Sequence, residues 1–123
     1  MKLRVTRDID IPDERIRDLL CAGLEGGIGY WGTITEYHNP DNIECEFKHL
    51  DLPMSAHGYI RISENEDPDD KGRLLHKQTI EDGLKAMSER FQNHFDTFMA
   101  ENEDAETGDV FIQCCLYDDV IFG

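Results

Sequence analysis

Residues 79–100 read TIEDGLKAMSERFQNHFDTFMA, and their apolar positions set the architecture expected of the rest. Ile80, Leu84, Met87, Phe91, Phe95 and Phe98 recur at intervals of three and four, so they share one side of a helix. The spacing predicts a single helix from Ile80 to about Ala100, about 30 Å long by the standard rise. Thr79 with Asp82 three positions on resembles a capping box at its start.

Downstream, the acidic stretch ENEDAETGD (101–109) leads into VFIQCCLY (110–117), the most apolar run of the chain. Thr107 or Asp109 can cap a helix from Val110 to about Asp119, which is apolar nearly all round and therefore central to the core. Upstream, Pro12, Asp13 and Glu14 suit the first turn of a helix. Ile16, Leu19, Leu20, Gly23 and Leu24 continue it to Glu25, and Gly26-Gly27 ends it.

The remaining segments read as strands. Lys2–Asp10 alternates Leu3, Val5 and Ile9 with polar residues, although Arg7 interrupts the apolar face. GYWGTITEY (29–37) is aromatic and β-branched, HNPDN (38–42) is turn chemistry, and IECEFKHL (43–50) alternates, which predicts a hairpin. HGYIRIS (57–63) and GRLLHKQ (72–78), joined by an acidic turn, predict a second hairpin. The expected fold is one α+β domain over residues 1–123: a mostly antiparallel sheet of four or five strands with three helices on one face.

The chain has 123 residues, 27 acids against 12 Lys and Arg, and a formal charge of −15. Its length suffices for one core that buries roughly two thirds of the unfolded surface. No apolar run is long enough for a transmembrane helix, and MKLRVTRDID has no secretory h-region. So large a negative charge repels phosphate backbones and anionic lipid, so neither direct nucleic-acid binding nor membrane association is expected. Four cysteines without an export signal suit a reducing cytoplasm and free thiols. Cys114 and Cys115 lie in the apolar run and read as packing residues rather than a redox pair, since nothing basic adjoins them in sequence.

Few motifs suggest chemistry. Gly27, Gly29 and Gly32 match G-x-G-x-x-G, but here the order is helix, glycines, strand, so a phosphate would meet a helix C-terminus. The glycines fit a sharp reversal and close packing instead. Asp67, Asp69 and Gly72 match positions 1, 3 and 6 of an EF-hand loop. Lys71 and Gln78 then occupy positions that should carry ligands, so an acidic turn is expected. Cys45, His49, His38 and His57 could supply four zinc ligands, yet their spacing fits no zinc module. No nucleophile–base grouping stands out, so neither enzymatic activity nor a cofactor is expected. Tyr30 and Trp31, as strand neighbours, should face opposite ways, one into the core and one toward a partner. Two acidic runs, Glu64, Glu66, Asp67, Asp69, Asp70 and Glu101, Glu103, Asp104, Glu106, Asp109, give a surface that could compete with phosphate for a basic groove.

LEGGIGYW (24–31) and HFDTFMAENEDAETGDVFIQCCLYDDVIFG (94–123) resemble a family of small acidic proteins encoded by tailed phages and prophages. There the first stretch usually reads EGGSNYW, so Ile28 and Gly29 depart from it, and Gly-Glu replaces Asp118-Asp119. Residues 38–72 have no counterpart. The resemblance implies a phage context and marks Glu25, Gly26, Gly27, Tyr30 and Trp31 as a unit; it brings no established activity and no catalytic residues. The function expected is a phage accessory protein in the host cytoplasm that binds a basic host protein through its acidic surface, such as a defence or nucleic-acid-handling factor. The alternative is a small-ligand module near Tyr30 and Trp31, in the form of a homo-oligomer that sequesters a host signal molecule. For a nucleotide ligand, Arg4, Arg7, Arg15 and Arg17 form the one basic cluster.

Overall fold

A computed structural model describes residues 1–123 and shows five helices and a three-stranded antiparallel sheet. The helices are α1 (Asp13–Gly26), α2 (Lys48–Met54), α3 (Lys77–Arg90), α4 (Gln92–Met99) and α5 (Ala105–Tyr117). The strands are β1 (Gly32–His38), β2 (Tyr59–Glu64) and β3 (Arg73–Leu75), in the order β1-β2-β3. The α+β class stands; the sheet of four or five strands and the count of three helices do not.

The centre of the molecule is α5. Every residue from Thr107 to Leu116 on it is buried, with α1 packed on one side and α3 on another. Close approach is achieved by missing side chains. A Cβ on Gly23 of α1 would stand 2.6 Å from the Gly108 carbonyl oxygen of α5, and one on Gly83 of α3 would stand 2.8 Å from the Cys115 backbone. Such backbone proximity accommodates no methyl without displacement. Ile60, Ile62 and Leu75 from the sheet are fully buried and join Leu19, Leu20, Met87 and Phe111 in one core. The Cys115 thiol is buried there, which raises its pKa well above the ordinary value, and burial raises that of Cys114 to about 11.

Three expected elements are corrected. Residues 1–10 form no strand and are exposed throughout. Ile9 and Ile11 rest beside Met54, Ile80 and Leu84, whereas before them Arg7 breaks the apolar face that a buried strand would need. Residues 43–50 form a loop and the start of α2 instead of a strand, so β1 pairs with β2. Local chemistry overrides the alternation: the Asp51 carboxylate accepts the backbone N–H groups of Glu46 and Phe47 at 2.9 and 3.0 Å and also pairs with Arg17. These bonds tie off the start of a helix.

The long helix is interrupted at Phe91, whose ψ of 55° ends α3 before α4 begins. The break lets Phe98, 1 % exposed, lie beneath the Arg15 guanidinium, 5.1 Å from its ring centre. Thr79 caps α3 in the reverse sense to that expected, its hydroxyl accepting the N–H of His76 at the N-cap. The second hairpin forms as β2 and β3, with Ile60 opposite Leu75.

Candidate functional site

The stretch after α1 folds as a 3-10 turn, Ile28–Tyr30, before β1. It sits tight against α5: a Cβ on Gly27 would stand 2.6 Å from the Ala105 carbonyl oxygen. The turn sends the neighbouring aromatics apart. Trp31 is 2 % exposed, whereas Tyr30 is 56 % exposed.

Trp31 stacks on Phe122 with ring centres 4.7 Å apart and 7° between planes, and meets the edge of Tyr117 at 5.9 Å. Its indole N–H donates to Asp109 Oδ1 at 2.7 Å. The Tyr30 hydroxyl donates to Asp109 Oδ2 at 2.6 Å, and Gln113 Nε2 donates to Oδ1 at 3.0 Å. A buried carboxylate is tolerated when donors replace water, and these three do so. Gln113 Oε1 in turn accepts the backbone N–H groups of Ile121 and Phe122 at 2.8 and 2.9 Å. The C-terminal residues are thereby strapped over Trp31. Desolvation, with the adjoining Asp109 carboxylate second, pushes the Tyr30 pKa to about 12.

Above this network lies an open groove of about 810 Å³. Tyr30, Phe91, His94, Glu106, Asp109 and Ile121 are among its walls, and no Lys or Arg lines it. Gly26 and Gly27 form one rim, while Trp31 lies beneath as support. Glu25 stands apart: it accepts the thiol of Cys21, which lowers its pKa, and has His49 Nε2 3.3 Å away.

Each acidic run contains structural and free members. In the β2–β3 turn, Asp70 accepts the N–H groups of Glu64 and Gly72 at 2.7 and 3.1 Å, and Asp67 accepts that of Asp69 at 3.0 Å. Glu66 and Asp69 project outward, exposed, and Glu64 is half-buried. In the second run Glu103 pairs with Arg15 and Asp104 caps α5 through the Thr107 N–H. Glu101 lies 3.6 Å from Arg15, and Glu106 faces the groove. The two runs approach the same 3-10 turn from different directions. Asn65 in the first donates to the Gly29 carbonyl at 3.0 Å and, through its backbone, to that of Trp31 at 2.8 Å; Ala105 and Glu106 flank the turn from α5.

The four residues weighed as zinc ligands have separate partners: His38 stacks on Tyr59, His57 contacts Asp41 at 2.6 Å, Cys45 lies 3.7 Å from the Ile43 carbonyl, and His49 lies beside Glu25. No group of three or more His, Cys, Asp or Glu side chains is arranged to hold a metal ion. Gln113 and Phe122 are the site residues that sequence reading missed, and Asp109 stands out there only as an acid of the second run and a candidate helix cap. Two polar residues four apart in an otherwise apolar helix were the available signal, since both face one partner. Residues 24–31 and 94–123 are thus halves of one structural unit. Comparison with known proteins yields no match among family models, curated proteins or solved structures.

Proposed function

We propose that this chain is a phage- or prophage-encoded accessory protein, without enzymatic activity, that binds a basic host protein in the host cytoplasm. Its contact surface is the Tyr30 groove with the acidic residues around it. The observation that carries this reading is the groove lining, which presents the exposed carboxylate of Glu106 above the buried, hydrogen-bonded Asp109 and contains no Lys or Arg. Glu66 and Asp69 extend the anionic field on the neighbouring β2–β3 turn, both exposed. Such a field attracts a cationic partner over roughly a Debye length, about 10 Å at 0.1 M salt. A defence or nucleic-acid-handling factor offers the matching basic surface.

Capture from host lysate, with stepwise salt elution and mass spectrometry, tests the reading. A basic protein should be retained at low salt, released as salt rises, and lost from a Glu66→Lys/Glu106→Lys variant. Retention indifferent to both changes would refute it.

The groove volume supports a second reading, a small-ligand module, because it falls in the range of ordinary ligand sites. Metabolites released by heating the purified protein should then raise its Tm on re-addition. Tyr30→Ala, which leaves Trp31 in the core, should abolish that shift; the absence of any released compound would remove this reading.

A further inference from the structure

The geometry points to a second copy of this chain as an occupant of the Tyr30 groove, through residues Met1–Arg7. This inference rests on the shape and charge of the groove and stands whether or not a host protein uses it.

The segment is matched to the groove on both counts. Lys2, Arg4 and Arg7 make it cationic, with no acid before Asp8 in a chain of charge −15. Leu3 and Val5, between the cations, are 79 % and 69 % exposed with nothing packed on them. The groove offers the complement of each: apolar walls from Phe91, Val110 and Ile121, and the exposed carboxylate of Glu106 with no Lys or Arg beside it. An extended peptide carrying alternate apolar and cationic side chains presents both kinds at once. A body this anionic should hold such an arm close, yet in the structure the arm touches none of the groove.

Reach explains why the arm does not fill its own groove. Ile9 and Ile11 rest beside Met54, Ile80 and Leu84, at the start of α1. The groove lies beyond the end of α1, at Gly26 and Gly27. The 14 residues of α1 separate these points by about 21 Å. From Ile9, an extended chain advances about 3.3 Å per residue, so Arg7 reaches about 7 Å, Val5 about 13 Å and Lys2 about 23 Å. Only the tip can touch its own groove, and Arg4, Val5 and Arg7 fall short of it. A second copy carries no such restriction. Reciprocal exchange fills both grooves by one two-fold arrangement, the usual symmetry of a homodimer.

Light scattering on eluting samples, in the absence of any host protein, tests the exchange. The full chain should be dimeric, with a Tm that rises with protein concentration, and the chain lacking residues 1–7 monomeric, with an unchanged far-UV circular dichroism spectrum and a concentration-independent Tm. Arg4→Glu/Arg7→Glu and Glu106→Lys should each weaken the dimer by about tenfold or more, since each juxtaposes like charges. Mixing these two variants should restore a heterodimer, because the reversed arm then meets the reversed groove and the native arm the native groove. A monomeric full chain, a dimer that survives loss of residues 1–7, or a mixture that fails to recover would overturn the inference.

Discussion

The Asp109 carboxylate and the Trp31 indole, 78 positions apart, share a 2.7 Å hydrogen bond in the buried base of the groove. This bond joins the turn after α1 to the central helix, and Gln113 extends the connection to the C-terminal strap. Removing the acceptor should therefore be felt at three places. Asp109→Ala strands the buried donors of Trp31 and Gln113 and is expected to cost about 3 kcal/mol in urea unfolding. Trp31 fluorescence should shift to the red as the Phe122 strap loosens. Asp109→Asn, which keeps an acceptor for the indole, should cost less.

The crossing of α1 and α5 depends on two glycines. Gly23→Ala or Gly108→Ala places a methyl against the facing backbone, so each should lose about 1–3 kcal/mol through forced separation of the helices. Gly29→Ala is the control, because open space surrounds that position. A denaturant series on the three variants measures the difference.

Arg15 fastens the connection between α4 and α5. Its guanidinium donates to the Phe98 carbonyl at 2.8 Å, pairs with Glu103 and lies 3.6 Å from Glu101. Arg15→Ala should destabilise the fold by about 2 kcal/mol, as expected for charge-assisted hydrogen bonds to partly buried groups. Amide exchange should quicken first across residues 99–105, where the carbonyl of Phe98 and the carboxylate of Glu103 lose their shared partner.

Stability should depend on pH at both ends of the scale. Arg17 lowers the pKa of Asp51, and backbone N–H groups lower those of Asp70 and Asp104. The unfolded chain then binds protons more readily than the folded one. These groups contribute stability above their ordinary value near 3.8 that is lost as pH falls through the lower folded values. Asp51→Asn should shrink the acid-induced loss seen in melting curves. Tyr30 acts oppositely: its contribution is complete below pH 10 and disappears as pH rises through about 12. A spectrophotometric titration should show late-ionising tyrosines, since burial also raises the pKa of Tyr117, and Tyr30→Phe should remove one of them.

Much of the helical architecture could be read from side-chain period, because burial imposes that period. Leu19 and Leu20 in α1 and the run from Val110 to Leu116 in α5 announce themselves by apolarity. What escaped was decided by single interactions that periodicity does not register. The stripe from Ile80 to Phe98 has the same spacing whether or not the backbone turns at Phe91. Residues 43–50 alternate like a strand, yet a carboxylate four positions after Phe47 captures their backbone. Leu3, Val5 and Ile9 alternate like a strand too, but a pattern cannot supply a neighbouring strand. The site was half legible: Tyr30 and Trp31 stand out as aromatics beside glycines, whereas Asp109 read as one more member of an acidic run. Nothing local shows that Asp104 caps a helix and Glu106 faces a groove, since the distinction arises only where α5 meets α1.

The most direct measurement is the affinity of the captured host protein for the wild-type chain and for Glu66→Lys/Glu106→Lys, titrated at low and high salt. An anionic contact surface around Tyr30 predicts at least about tenfold weaker binding for the variant at low salt and a converging, weak affinity for both at high salt. Equal affinities at low salt, unchanged when salt is raised, would contradict it.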